Sequence, residues 1–365
     1  MANNWYATRE QVKLATDIKG SDNDAQVDRH IDAASRHIDR ILGLREGVFI
    51  PKTQTRNFNW PQDGDVADRN RNGWTLYLDE GLISISGVTR DGDTATAIPS
   101  ADIFLEPANE GPPYTRLELD RSSTDANATF ASTISTTNQR AVRVAGSWGY
   151  GNATEAAGTV SSGLASDAAA TSCVCSNSSL IGVGDTLLIE TEQVFVSGRA
   201  FAALGAILVN DVGITADITD TTITVDGSHG LVAGEIIKLE SEEIYITSVA
   251  TNVLSVIRGY NGTALAAHAD DTAVQVARTL TIVRGVNGTT AAVHANATAI
   301  SKYAVPEDIT EYVIARAIHT LHQDEGGWTG VIGTGESTVE MRGRILSQME
   351  AALMVKYDRP LARAL

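Results

Sequence analysis

The feature that most constrains this chain is a phrase written twice. "SVIRGYNGTALAAHADDTAVQV" begins at Ser255 and "TIVRGVNGTTAAVHANATAISK" at Thr281. At one constant offset Arg258 matches Arg284, Gly259 matches Gly285, Asn261 matches Asn287, Thr263 matches Thr289 and His268 matches His294. The segments before them also match, at a different offset. "IGVGDTLLIETEQVFV" from Ile181 parallels "LVAGEIIKLESEEIYI" from Leu231, pairing Gly184 with Gly234, Glu190 with Glu240 and Glu192 with Glu242. Both halves alternate apolar with polar residues, the period of a half-buried strand. The order along the chain is first half, first half, second half, second half. A plain tandem repeat alternates its halves, so nesting is the simplest account: an inner copy at 221–276 inside an outer copy made of 171–200 and 278–303. The rival account is a tandem array with eroded halves, in which 201–216, "FAALGAILVNDVGITA", is a decayed remnant.

The repeated residues read as folding signature before chemistry. Arg-Gly-x-Asn-Gly-Thr at a strand end is a turn, because Asn-Gly supplies the positive φ values a tight turn requires. The pairs Glu190/Glu192 and Glu240/Glu242 share a strand face, which reads as solvated or as a holder for a hard cation such as calcium. His30 and His37 fall on one side of a helix, but not at the i, i+4 spacing of a metal pair, and read as solvated or interface residues. Cys173 and Cys175 point to one strand face, poorly placed to bridge each other, with no further cysteine to complete a zinc set. "GGWTGVIGTGES", from Gly326, lacks the Gly-Lys-Ser/Thr ending of a phosphate loop and follows a helix. No nucleophile stands at a familiar spacing from a base. No catalytic, cofactor or metal residue is therefore assigned, and the chain reads as non-enzymatic; scattered carboxylates are all that a glycan-processing enzyme would have to work with.

Helical texture lies outside the repeats. Thr8-Arg9-Glu10-Gln11 is a capping box, opening a helix that runs to about Ile18. A second helix follows Asn23, with the stripe Val27, Ile31, Ala34, Ile38, Ile41 and Leu42, and Gly43 ends it. Short strands with turn residues between them fill Phe49–Gly151, and Arg90-Asp91-Gly92-Asp93 reads as a turn. Residues 152–170 are rich in Ala, Gly, Ser and Thr, a linker composition. Val305-Pro306-Glu307 starts a third helix, carrying Ile309, Val313, Ala317 and Leu321. A fourth starts at Ser337 and carries Ile345, Leu346, Met349, Ala352 and Leu353. These outer helices cannot hide their stripes alone, so the first pair is expected against the last. The expected class is α+β: a small helical bundle with a β region (1–151 and 304–365), a linker (152–170) and an inserted all-β domain (171–303).

The formal net charge is −17, which disfavours tight binding to DNA phosphates. No apolar run approaches the roughly 18 residues of a membrane helix, and the first residues carry no apolar signal region, pointing to a cytosol-like space.

With the insertion set aside, four stretches in order resemble the head–tail connector (adaptor) proteins of long-tailed bacteriophages: "DAQVDRHIDAASRHIDRILG", "ISISGVTRDGD", "VRVAGSWGYG" and "VPEDITEYVIARAIHTLHQDEGG". In that family the Val-Pro helix follows the Gly-Tyr-Gly strand almost directly, whereas here the doubled β unit intervenes. The repeats resemble β units found in phage structural proteins. The resemblance implies a virion protein assembled in the host cytoplasm. It would form a ring, usually a dodecamer, beneath the portal protein, extend the DNA channel without reading sequence, and dock a stopper or tail-completion protein. No cofactor or membrane is implied. Candidate contacts to neighbours or portal are Arg342, Arg344, Lys356, Arg359 and Arg363. The alternative is a virion decoration or receptor- or glycan-binding protein whose active part is the β insert.

Overall fold

The computed structural model of the chain describes residues 4–16, 20–60, 73–91, 95–131, 139–164, 170–209, 213–227, 229–325 and 337–357. It is an α+β protein with large antiparallel sheets. The chain divides into two compact units: Met1–Ile41 with Thr154–Val355, and Leu42–Ala153 with Lys356–Leu365.

In the first unit, α1 (Arg9–Thr16) opens with the capping box: the Gln11 amide donates to Thr8 Oγ1 at 3.2 Å and the Thr8 amide to Gln11 Oε1 at 2.8 Å. Helix α2 (Asp24–Ile41) buries Val27, Ile31, Ala34 and Ile38. Helix α3 (Glu307–Glu325) buries Ile309, Val313, Ala317 and Leu321, and it packs on α2 and α1. The two stripes, each unable to leave water alone, cover one another. Helix α4 (Ser337–Tyr357) departs from its expected stripe. Leu346 and Leu353 are buried, but Ile345 is 53% exposed and Ala352 is exposed too. The buried face is the narrower Leu346–Leu353 line, and it is shared with Glu350, whose Oε1 accepts from Tyr312 Oη at 2.6 Å and lies 3.3 Å from Arg316. His37 lies 3.4 Å from the same carboxylate and His30 is 3.1 Å from Asp324, so these histidines join helices.

The rest of this unit is one ten-stranded sheet system from β7 (Thr154–Thr159) to β16 (Ala299–Tyr303). It encloses two separate apolar cores. One contains Ala157, Val160, Leu164, Cys173, Cys175, Leu187, Ile189, Val194, Leu280 and Ile300. The other contains Leu208, Ile214, Ile223, Val225, Ile237, Leu239, Ile244, Leu254 and Val274.

Pairing registers relate the two, residue for residue. Strand β8 (Ser172–Val174) sets Cys173 opposite Leu280 of β15 (Ala273–Val283); β11 (Thr222–Thr224) sets Ile223 opposite Leu254 of β14 (Val253–Ile257). In β9 (Thr186–Ile189), Ile189 faces Glu192 of β10 (Glu192–Ile207). In β12 (Ile236–Leu239), Leu239 faces Glu242 of β13 (Glu242–Ala250). In the inner unit the β13–β14 hairpin closes after Ala250↔Val253. In the outer unit the same hairpin, β10 with β15, reaches the equivalent pair Ala200↔Thr279 and does not close, and the ladder runs on to Ile207↔Ala273.

Several sequence boundaries move. Residues 154–164 are not a linker: β7 pairs with β16, and Val160 and Leu164 bridge Cys175 and His294. Small side chains suit a loop, but a strand ladder needs only backbone groups, and Ala157 and Val160 fill a core. The stretch 201–216 holds the corresponding place in the inner unit, with Leu208 and Ile214 bridging Val225 and His268. Both copies therefore begin earlier than 171 and 221. The helices also cluster with the repeats, not with 42–153, because the N-terminal segment clasps the outer copy.

The second unit is a six-stranded antiparallel sheet, ordered β1 (Lys52–Phe58), β6 (Val142–Trp148), β2 (Thr75–Arg90), β5 (Tyr114–Leu119), β4 (Ile103–Glu106), with β3 (Thr96–Ile98) on β2. Leu82, Leu117, Phe130, Val144 and Trp148 form its core. The Arg56 guanidinium lies 4.4 Å from the Trp148 ring centroid and pairs with buried Glu80. Phe49, Tyr150 and Tyr357 form an aromatic cluster. The expected 90–93 turn falls largely outside the described residues, as does the 326–336 connection.

Candidate functional site

The duplicated phrase builds two copies of one buried charge cluster. Glu242 begins β13 with its side chain fully buried. Its carboxylate accepts from five donors: Arg258 Nε (2.7 Å) and Nη2 (2.7 Å), the Gly259 amide (2.9 Å), the Ala266 amide (3.1 Å) and His268 Nε2 (2.9 Å). The other His268 nitrogen, Nδ1, is 2.9 Å from Glu240.

The outer copy repeats it. Glu192 takes Arg284 Nε (3.0 Å) and Nη2 (2.6 Å), the Gly285 amide (3.1 Å), the Ala292 amide (2.9 Å) and His294 Nε2 (2.8 Å), while His294 Nδ1 is 2.8 Å from Glu190. Gly259 and Gly285 sit at φ 59° and 60°, and Asn261 and Asn287 at 51° and 56°, the left-handed region the Asn-Gly turn anticipates. Thr263 and Thr289 accept the amides of Glu243 and Gln193, tying each turn to its neighbouring strand.

The electrostatics favour charge in place. Burial alone would raise the Glu242 carboxyl, but the bidentate Arg258 and the backbone donors outweigh it and hold it down at about 2. Glu192 is held below its ordinary value by the same balance. Glu190 and Glu240 are not strand-face partners of these residues. They occupy the preceding turns at φ 54° and 53°, and their side chains are 59% and 64% exposed. The solvated-face reading of Glu192 and Glu242 is thus corrected. Their lone pairs are already taken by donors, which leaves no coordination place for a cation. Cys173 and Cys175 are buried and free, and burial pushes each thiol up to about 11.

A third carboxylate joins the two copies. Glu235, in the inner copy, accepts from Arg278 Nε and Nη2 (both 2.7 Å) and from the Ser178 amide and hydroxyl (both 3.0 Å) of the outer copy. Burial raises it, and Arg278 with the backbone donors brings it below its ordinary value.

The N-terminal segment is docked on the outer copy. Asn4 and Asn287 exchange side-chain amide hydrogen bonds at 2.9 Å, and Trp5 stands edge-on to Phe195 with centroids 5.5 Å apart. The Arg9 amide donates to the Val183 carbonyl and the Val183 amide to Glu10. The inner copy closes this seat itself, with Tyr260 stacked on Tyr245 at 5.0 Å. A groove of about 880 Å³ runs between α1 and the inner copy. Its cations are engaged: Arg9 with Asp24 and Asp28, Lys13 with Asp24, and Arg199 at 3.5 Å from Glu10.

Of the candidate contact residues, Arg344 and Lys356 are exposed on α4, and Lys356 lies 5.1 Å from the Tyr357 ring centroid. The Arg342 side chain, Arg359 and Arg363 lie outside the described residues. The joint at Glu235 and the strap at Asn4–Glu10 were missed in the sequence. The matched Glu–Arg pairs were the available signal for the clusters: two buried acids recurring with two arginines. No protein-family model, curated protein or solved structure matches the chain.

Proposed function

We infer that the chain is a structural adaptor of a phage head–tail joint, a ring-forming protein seated beneath a portal. What carries the reading is the meeting of the chain's two ends in one helical body. The α2 stripe Val27, Ile31, Ala34 and Ile38 and the α3 stripe Ile309, Val313, Ala317 and Leu321 are buried, and His30 reaches Asp324 across them. The two helical stretches among the four that carry the resemblance, α2 and α3, supply that body, and the other two are strands of the second unit. The β module is then a nested insertion between the Gly-Tyr-Gly strand and the Val-Pro helix, a passenger in the adaptor frame. The clusters within it serve folding, since each carboxylate is consumed by internal donors. A net charge of −17 suits a wall that DNA must pass without adhering. Exposed Arg344 and Lys356 are offered to the portal or a neighbouring subunit, and the ring docks a stopper or tail-completion protein as the next component.

Native mass spectrometry of the purified chain, alone and mixed with portal, tests this. A closed ring on the portal is the expected result. A chain that remains monomeric with portal present at micromolar concentration overturns the assignment.

A further inference from the structure

The place where the outer copy is interrupted has a counterpart in the inner copy. Gly198↔Thr281, Arg199↔Leu280 and Ala200↔Thr279 correspond to Ser248↔Ser255, Val249↔Leu254 and Ala250↔Val253. Beyond these pairs the Cys175 amide donates to the Arg278 carbonyl, as the Val225 amide donates to that of Asn252. Residues 201–277 therefore stand where the inner copy has the single residue Thr251, at φ 55°.

We propose that the tip of the β13–β14 hairpin, at Thr251, is an acceptor site for a further folded module of the kind already seated between Ala200 and Arg278. The proposal rests on the nested reading of the repeats.

Two observations make the joint more than a permissive loop. The β10–β15 ladder crosses it, passing from Ala200↔Thr279 to Ala202↔Val276, so one copy's hairpin continues directly as the next copy's first and last strands. Glu235 of the seated copy then locks on Arg278 of the receiving copy through two 2.7 Å bonds and on Ser178 through two more. The inner copy has the same strand geometry at its own tip but carries Asn252 in the place of Arg278. It is an acceptor that lacks one half of the lock, and its tip is held for now by His229, whose Nε2 lies 3.0 Å from the Thr251 carbonyl. A copy inserted at Thr251 brings its own equivalent of Glu235, so Asn252→Arg restores the missing partner.

The test uses the full chain with Thr251 replaced by a second copy of residues 201–277, in one version with Asn252 and in another with Asn252→Arg. Both are expected to fold. Amide hydrogen exchange across 248–255 should be slower in the arginine version by about tenfold, the weight of a charge-assisted pair. An enlarged chain that does not fold, or two versions that exchange alike at this junction, overturns the proposal. A third chain, with 201–277 replaced by one threonine, examines the nested reading by itself. Retained protection at Leu280 and Ile282 upholds that reading. Loss of it sinks that reading and the acceptor site with it, whereas retained protection beside enlarged chains that do not fold, or that exchange alike, fails the acceptor site alone.

Discussion

Arg258 and Glu242 are both fully buried, so each is tolerable only because of the other. Removing one strands its partner. Arg258→Ala is expected to destabilise the inner copy by about 3–5 kcal/mol in chemical denaturation, by the usual cost of an uncompensated buried charge. Glu240→Gln touches an exposed carboxylate and should cost less than about 1 kcal/mol. The acid limb follows from the same site. Glu242 falls from its ordinary 4.5 to about 2 in the folded chain. Its contribution is complete above 4.5 and is lost as pH drops from 4.5 toward 2, with Glu192 and Glu235 moving in the same direction. A melting profile should therefore decline in that window, and Glu242→Gln should flatten part of the decline. The sequence made the recurrence of these residues plain and the Asn-Gly turns readable. It concealed the burial of Glu192 and Glu242, because strand alternation reports a face and not what covers it.

The N-terminal strap is the element with most to lose from a small change. Gly184 has φ 110°, and an added Cβ would lie 2.6 Å from Trp5 Cε3. Gly184→Ala is expected to cost about 1–3 kcal/mol through backbone strain and overpacking. Faster exchange of the Arg9 amide, which donates to Val183, would report the strap lifting; an unchanged rate would show that Gly184 is not a support for it. Among the helices, burial holds His30 and His37 below 6.5, against the pull of Asp324 and Glu350. Protonation is thus penalised in the fold. The contribution is full above 6.5 and is lost as pH falls through the lower folded values, so the α2–α3 contact should loosen in mild acid, read by hydrogen exchange along α2. The capping box at Thr8 and the stripes of α2 and α3 were legible because local bonds and a 3.6-residue period write them directly into the chain. The α4 face was not, since Glu350 occupies part of it through bonds to Tyr312 and Arg316. Strand β7 was hidden for another reason: Ala, Gly, Ser and Thr make the same ladder bonds as any residue, so its partner β16 decides, not its composition.

At the scale of the molecule, two long-range facts organise the first unit: the ends of the chain share a helical body, and the repeats divide their apolar residues into two cores. The helical pairing could be anticipated because neither stripe can remain in water. The allocation of the helices with the repeats could not, because Asn4, Trp5 and Glu10 carry no pattern that names Asn287, Phe195 or Val183. On the proposed adaptor role, the helical body performs the joining and the inner copy is carried along. Counting tailed particles by electron microscopy, with the native chain replaced by variants, measures it most directly. With 201–277 replaced by one threonine, particles should still acquire tails; with Ile31→Asp in α2, heads should accumulate without them. Tailless heads from the first variant together with normal particles from the second would contradict the account.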